Sequence, residues 1–355
     1  MDLIKILKVF TELSGPSGFE DELSSLIFNL FKDFKEVNVV KDEFNNVYVS
    51  YLHSEDKPTI ALFSHIDEVG FIISDITEDG FIKFKALGGW SKFNLSPMKV
   101  KIMRKDKIEV TGIIPSEFSS SNFTIDDLYI DVGASSKEDV LNLGINIGDY
   151  VVPDTKFTRL SDDKIISKAL DDRICASALV KFLFNIINRK NKCNVIGVFT
   201  SQEEVGCRGA KISSKNIDFD LGIAIDVTDS FDIPSLDKYD CKIGNGIALS
   251  VIDQGTIGHR GLINYLFKIF KNNKVKISYD PMTLGGTDSS EINITKNGLV
   301  NCTISLPVRY MHSPYTIASL SDVNTLISAL KVLVNNLTYK EFNKIIESKF
   351  KPICK

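Results

Sequence analysis

Thr59-Ile60-Ala61-Leu62-Phe63-Ser64 (TIALFS) is an uncharged run that leads directly into His65-Ile66-Asp67-Glu68. A short apolar run without polar alternation suits a strand buried on both faces. Three further runs have the same character: Val195–Thr200 (VIGVFT), Leu221–Ile225 (LGIAI) and Val300–Leu306 (VNCTISL). Between them the apolar spacing predicts helices over Arg173–Asn188, Gly261–Asn272 and Leu320–Leu337. Strands alternating with helices indicate an α/β domain, its central sheet parallel or mixed and flanked by helices.

One region breaks this rhythm. From Gly70 to Leu160 the pattern turns to short alternating strands, among them Phe81–Leu87 (FIKFKAL), Lys99–Met103 (KVKIM) and Ile108–Ile114 (IEVTGII). Turn signals separate them at Glu78-Asp79-Gly80, Gly88-Gly89 and Ile147-Gly148-Asp149, and one short helix is expected near Lys137–Asn142. The expected organisation is an α/β domain of residues 1–69 and 161–355 that carries an inserted all-β, barrel-like domain of residues 70–160.

A chain of 355 residues exceeds the range in which one core keeps growing, which agrees with two domains. The net charge is 42 − 46 = −4 with both signs interspersed, so the basic footprint of a nucleic-acid binder is missing. Met1–Leu13 reads as an amphipathic helix carrying Asp2, Lys5, Lys8 and Glu12, unlike a signal peptide. No stretch approaches the roughly 18 apolar residues of a membrane span. Cys175, Cys193, Cys207, Cys241, Cys302 and Cys354 form no CxxC pair; they read as free thiols of a reducing compartment, with the cytoplasm as the expected location.

The polar residues gather just beyond the predicted core strands, where open α/β sheets bind ligands. His65 and Asp67 follow the first run, Glu203 and Glu204 the second, and Asp226 the third, while His312 follows the fourth after a loop through Pro307. Asp171 and Asp172 stand between a strand-like Lys164–Ser167 and the helix near Arg173. Imidazoles and carboxylates from separate strands suit hard-to-borderline divalent metals, and no cysteine occupies a ligand position in this pattern. A carboxylate bridging two ions would hold them roughly 3.5–4 Å apart. Each cluster also has a plainer reading: a helix cap or solvated face for the acidic pairs, a turn for Asp226, a satisfied polar residue for a single histidine. His53 and His259 are read in that way. Acids and histidines at all the strand ends together favour a metal site, because adjacent Glu203 and Glu204 would cap a buried sheet poorly without a compensating cation.

At these residues the sequence resembles the glutamyl and deblocking aminopeptidases, cocatalytic two-metal peptidases with a zinc-exopeptidase-like fold; some relatives carry the label endoglucanase. The resemblance rests on Ser64–Gly70 (SHIDEVG), Lys168–Arg173 (KALDDR), Ser201–Gly206 (SQEEVG) with Arg208-Gly209-Ala210, Ile225–Thr228 (IDVT), Gly285–Asp288 (GGTD) and Arg309–Pro314 (RYMHSP). It implies that His65 and Asp226 hold one divalent metal, Glu204 and His312 a second, and Asp171 bridges both. Zinc, cobalt and manganese all suit such a set. Glu203 would be the general base, and Asp67 would orient the His65 ring. Thr287, Asp288 and Arg309 are the candidates for substrate binding. The resemblance also implies a cis peptide between Asp171 and Asp172, peptide substrates, and assembly through the insert into dimers and a dodecamer. Two departures stand out: Cys175 where the family often has Gly, and Ser289-Ser290-Glu291 where small apolar residues are usual.

Two competing functions have recognisable requirements. A glycoside hydrolase would use paired carboxylates beside a sugar cleft, but here the acids serve better as ligands and Trp90 is the only tryptophan. A non-catalytic subunit on the same fold would have no need of Glu203. HExxH, GxSxG and GxxxxGK[ST] signatures are all missing from the sequence.

Overall fold

The computed structural model describes residues 2–116, 123–234, 239–281 and 284–349. In chain order its strands begin with β1 (Asn38–Lys41), β2 (Val47–Tyr51), β3 (Thr59–His65), β4 (Gly70–Ile76), β5 (Ile82–Leu87), β6 (Met98–Met103), β7 (Glu109–Ile114) and β8 (Tyr150–Pro153). They continue with β9 (Thr158–Arg159), β10 (Lys164–Ser167), β11 (Asn194–Thr200), β12 (Leu221–Asp229), β13 (Ile247–Ser250), β14 (Ile277–Asp280), β15 (Val300–Val308) and β16 (Thr316–Ser319).

The four uncharged runs form the middle of an eight-stranded sheet of order β1-β2-β11-β3-β12-β15-β13-β14. Its centre, β11-β3-β12-β15, is parallel, and antiparallel β2 and β13 flank it, so the sheet is mixed. Every residue of β11 is buried, which explains why its sequence shows no alternation: helices cover both faces. The helix Leu170–Ile186 is buried on nearly every side, packed between β3, β12 and the helices Leu3–Glu12 and Leu320–Asn336. The helix Arg260–Asn272 starts at His259, whose ring accepts the Leu262 N–H at 3.3 Å, a capping role of the plain kind expected for this histidine.

Strands β4 to β8 form a second, five-stranded antiparallel sheet of order β5-β4-β8-β6-β7 with its own apolar cluster around Phe71, Val100, Ile102 and Val151. Ile130 bridges to Ile82 and Asp131 to Ile113, so one short segment touches both outermost strands of that sheet. The helix Lys137–Asn142 forms where expected; two 3₁₀ turns, Lys92–Asn94 and Ile125–Asp127, were not foreseen. β10 pairs with both β9 and β16 in a separate three-stranded sheet.

The loop expected around Pro307 does not form. Pro307 belongs to β15, opposite Thr228 of β12. The ladder between β15 and β13 ends at Ser305, so the N–H that proline lacks is not needed on that side.

Candidate metal and catalytic site

Parallel register aligns the strand ends: Thr200 stands opposite His65, and Asp226 opposite Ser305. His65 ends β3, Asp226 lies in β12, and Glu203-Glu204 follow β11 in a turn closed by Glu203 carbonyl bonds to the Gly206 and Cys207 N–H groups. His312 sits in the turn after β15 with φ +50°, and the Asp171-Asp172 peptide is cis.

These residues converge. Asp171 Oδ1 lies 3.1 Å from His65 Nε2, and its Oδ2 lies 3.1 Å from His312 Nε2. One carboxylate therefore faces both imidazoles, one oxygen each. Glu204 Oε2 is 3.3 Å from His312 Nε2, while Asp226 Oδ1 and Glu203 Oε2 lie 3.7 and 3.9 Å from His65 Nε2. Single donor atoms from His65, Asp171 and Glu204, and from His65, Asp172 and Asp226, all fall within 4.8 Å of one another. Asp172, which sequence reading left without a role, is wholly buried and accepts the Ser64 hydroxyl at 2.5 Å.

Asp67 supports this cluster from behind. It is fully buried, its Oδ1 lies 3.4 Å from His65 Nδ1, and it accepts the Glu203 and Glu204 N–H groups at 3.0 and 3.2 Å and the Ser17 hydroxyl at 2.6 Å. Both an imidazole and the Glu203-Glu204 turn are thereby fixed by one side chain. The helix Asp21–Phe31 approaches the same place through Glu20, whose Oε1 accepts the Gln202 N–H at 3.1 Å; burial and nearby Asp67 push its carboxyl up to about 7.

The electrostatics follow from crowding. Burial lifts the Glu203, Asp226 and Asp172 carboxyls well above their ordinary range; neighbouring acids add to this and His65 opposes it. Glu204 is raised by burial and by Asp171. Asp171 moves the other way: burial works against its charge, but hydrogen bonds to His312 and His65 hold it below the carboxylate range. Burial also opposes protonation of the imidazoles, yet Asp171 with Asp67 raises His65, and Asp171 with Glu204 pushes His312 up to about 11. Carboxylates outnumber the groups able to neutralise them, a donor set that stabilises added positive charge.

A cavity of about 390 Å³ opens on the cluster, lined by Asp171, Glu203, Glu204, Asp226 and His312 on one side and by Thr228, Asp253, Asp280, Thr287 and Met311 further out. Of the three substrate-binding candidates, only Thr287 lines it. Asp288 is buried behind Glu203 and accepts the Thr200 hydroxyl. Arg309 is held bidentate by Asp232 at 2.8 and 2.6 Å, apart from the cavity wall. The insert reaches the site too. A Cβ on Gly88, at φ +83°, would come within 3.1 Å of Glu204 Oε2, and one on Gly89 within 3.1 Å of His312 Nδ1. Sequence reading treated this pair only as a turn; consecutive glycines also mark a close backbone approach. Cys207 likewise departs from expectation: its Sγ donates to Glu203 Oε1 at 3.2 Å.

Comparison with known proteins identifies the family. The family profile described as M42 glutamyl aminopeptidase matches residues 45–328. A chain of Acetivibrio thermocellus with a provisional aminopeptidase name is 35% identical over 339 residues, covering 94% of this chain and 98% of that one. Among solved structures, an aminopeptidase from the archaeon Desulfurococcus kamchatkensis superposes with TM-score 0.91 at 32% identity, covering 99% of both chains. A Pyrococcus horikoshii TET1 peptidase, described as assembling into a tetrahedron or a large octahedral shell, superposes with TM-score 0.84 at 28% identity over 95% of this chain and all of that one. A Thermotoga maritima structure titled endoglucanase gives 0.77 at 25% identity, over 96% and 98%. With the profile spanning most of its length, the chain belongs to the M42 glutamyl aminopeptidase family and is a peptidase.

Proposed function

We propose that this peptidase removes N-terminal residues from short peptides, with two divalent cations held at the cluster and Glu203 as general base. The observation that carries the reading is the Asp171 carboxylate, whose two oxygens lie 3.1 Å from the Nε2 atoms of His65 and His312. The residues present fit such ions: two imidazoles and several carboxylates are the donors that zinc, cobalt and manganese accept. Glu204 Oε1 and Asp172 Oδ1 are also buried without a hydrogen-bond partner, which a cation would remedy. His65 and Asp226 would hold one ion, Glu204 and His312 the other, with Asp171 between them. When bound, the ions supply Lewis acidity toward water and the scissile carbonyl.

The remaining work falls to the chain. Glu203, beside the cluster and lining the cavity, takes a proton from the attacking water and returns it to the departing amine. A carboxylate in this position can hold that proton between the two steps. Asp67 keeps His65 and the Glu203-Glu204 turn in place. Acidic groups at the cavity rim are suited to receive a free α-ammonium group.

The same reading assigns residues 1–69 and 161–355 to a catalytic domain and 70–160 to a barrel-like assembly domain closed through Ile130 and Asp131. The separate apolar cluster of the insert and the shell-forming relatives support assembly into dimers and a dodecamer. No helix among the described residues is long and apolar enough to cross a membrane, and the five described cysteines are free thiols, which supports a cytoplasmic setting; Cys354 lies outside the described residues.

The test is direct. Chelator-stripped protein should be inactive on aminoacyl-amides and regain turnover with zinc, cobalt or manganese, while N-acetylated substrates stay intact. Glu203→Gln should keep its metal content and lose roughly 10²–10⁴-fold in turnover. Indifference to chelator, or full turnover in that variant, rules the mechanism out.

A further inference from the structure

Glu203 has two sides. Its Oε2 faces His65 at 3.9 Å, whereas its Oε1 accepts the Cys207 thiol at 3.2 Å. Beyond the sulfur lies Asp288, which is 3% exposed; its Oδ2 takes the Thr200 hydroxyl and its Oδ1 is buried with no hydrogen-bond partner. One donor atom each from Glu203, Cys207 and Asp288 falls within 4.8 Å of the others. Both Cys207 and Glu203 line the cavity, so a small ion has access from solvent. We propose that Glu203, Cys207 and Asp288 form a cation site separate from the His65–Asp171–His312 cluster, which takes a soft divalent ion of the zinc and cadmium class and thereby withdraws Glu203 from catalysis.

The chemistry selects the ion. A thiolate with two carboxylates favours zinc or cadmium and gives magnesium or calcium no advantage. The three groups can bring up to three negative charges, enough to neutralise a divalent ion near other cations. As the sulfur bonds to the ion, the thiol proton leaves to solvent, and no electron changes hands. The geometry of the site stands alone; the inhibitory consequence rests on Glu203 being the base.

Cadmium chloride, titrated into purified zinc-loaded protein, is the probe. Thiolate bonding to cadmium produces an ultraviolet charge-transfer band, and its dependence on Cys207 separates this site from the sulfur of Cys175, which donates to the Asp226 carbonyl at 3.3 Å. The band is expected in the unaltered protein, absent in Cys207→Ser and weakened in Asp288→Asn, with folding of each variant checked by circular dichroism. Inhibition by cadmium should track the band, and in Cys207→Ser the half-inhibiting concentration should rise by more than the roughly 10–100-fold that loss of an outer-shell partner costs a metal site. No band, or a band that persists in Cys207→Ser, overturns the site. A Cys207-dependent band without inhibition overturns the withdrawal of Glu203 alone, and turnover of Glu203→Gln decides separately whether Glu203 is the base.

Discussion

At the scale of single residues, Asp67 has the most consequential position. It touches His65 and both N–H groups of the Glu203-Glu204 turn, so a proposed ligand ring and the proposed base depend on the same carboxylate. Asn in its place keeps one acceptor oxygen but turns an NH2 group toward a donor. Asp67→Asn is therefore expected to lower metal affinity or kcat/KM by roughly 10–100-fold, measured by competition with a chromophoric chelator and by steady-state kinetics; unchanged values would leave Asp67 a purely structural residue. His65, Asp171, Glu203, Glu204, Asp226 and His312 could be picked out in sequence because they stand beside apolar runs. Asp172 and Cys207 could not. Asp172 reads as the second half of an acidic pair, and nothing in that pair says which carboxyl is buried against Asp226. Cys207 reaches Glu203 only because Gln202 and Cys207 both adopt positive φ, folding the turn back on itself where residue types such as these give no warning.

At the scale of elements, the long uncharged strands were legible for a physical reason: burial on both faces removes polar residues from the whole segment. β2, β13 and β14 were not, because runs of four or five residues carry too little pattern to separate strand from turn. The helix Leu320–Asn336 shows another hidden device. Asp322 in its first turn accepts the Gly244 N–H at 2.6 Å and the Gly246 N–H at 2.7 Å, anchoring the turn before β13. Burial pushes its carboxyl up to about 6 despite those bonds. The folded form thus keeps a proton that the unfolded chain has released near its ordinary value. The proton-linked stabilisation is complete below that value and is lost as pH rises through about 6. Compared with Asp322→Asn, which does not titrate, the unaltered protein should lose on the order of 2 kcal/mol of relative stability between pH 4 and 7. Urea midpoints at several pH values would measure it, and parallel profiles for the two proteins would contradict it.

At the scale of the whole molecule, a buried ion cluster ties together segments far apart in sequence. Lys168 Nζ lies 2.7 Å from Glu68 Oε1, and Arg173 Nη2 lies 3.3 Å from the same oxygen. Arg173, fully buried, also donates to the carbonyls of Phe10, Leu13, Gly15 and Ile66. Burial lowers Lys168 to about 8 although Glu68 favours its charge. Glu68→Gln strips the cluster of its anion and should cost about 3–5 kcal/mol, since uncompensated buried charge is left behind; a denaturation midpoint equal to that of the unaltered protein would refute this. Glu68 was visible in the sequence as part of a polar group, but its partners were not, because they come from residues 10–15 and 168–173. The same long reach governs when the centre can exist at all. Asp171 is flanked by His65 and by His312, so a polypeptide still emerging from the ribosome lacks one of the two imidazoles until residue 312 has been added. A copy that stops short of His312 therefore has no complete cluster, and under the proposed mechanism such a fragment cannot cleave.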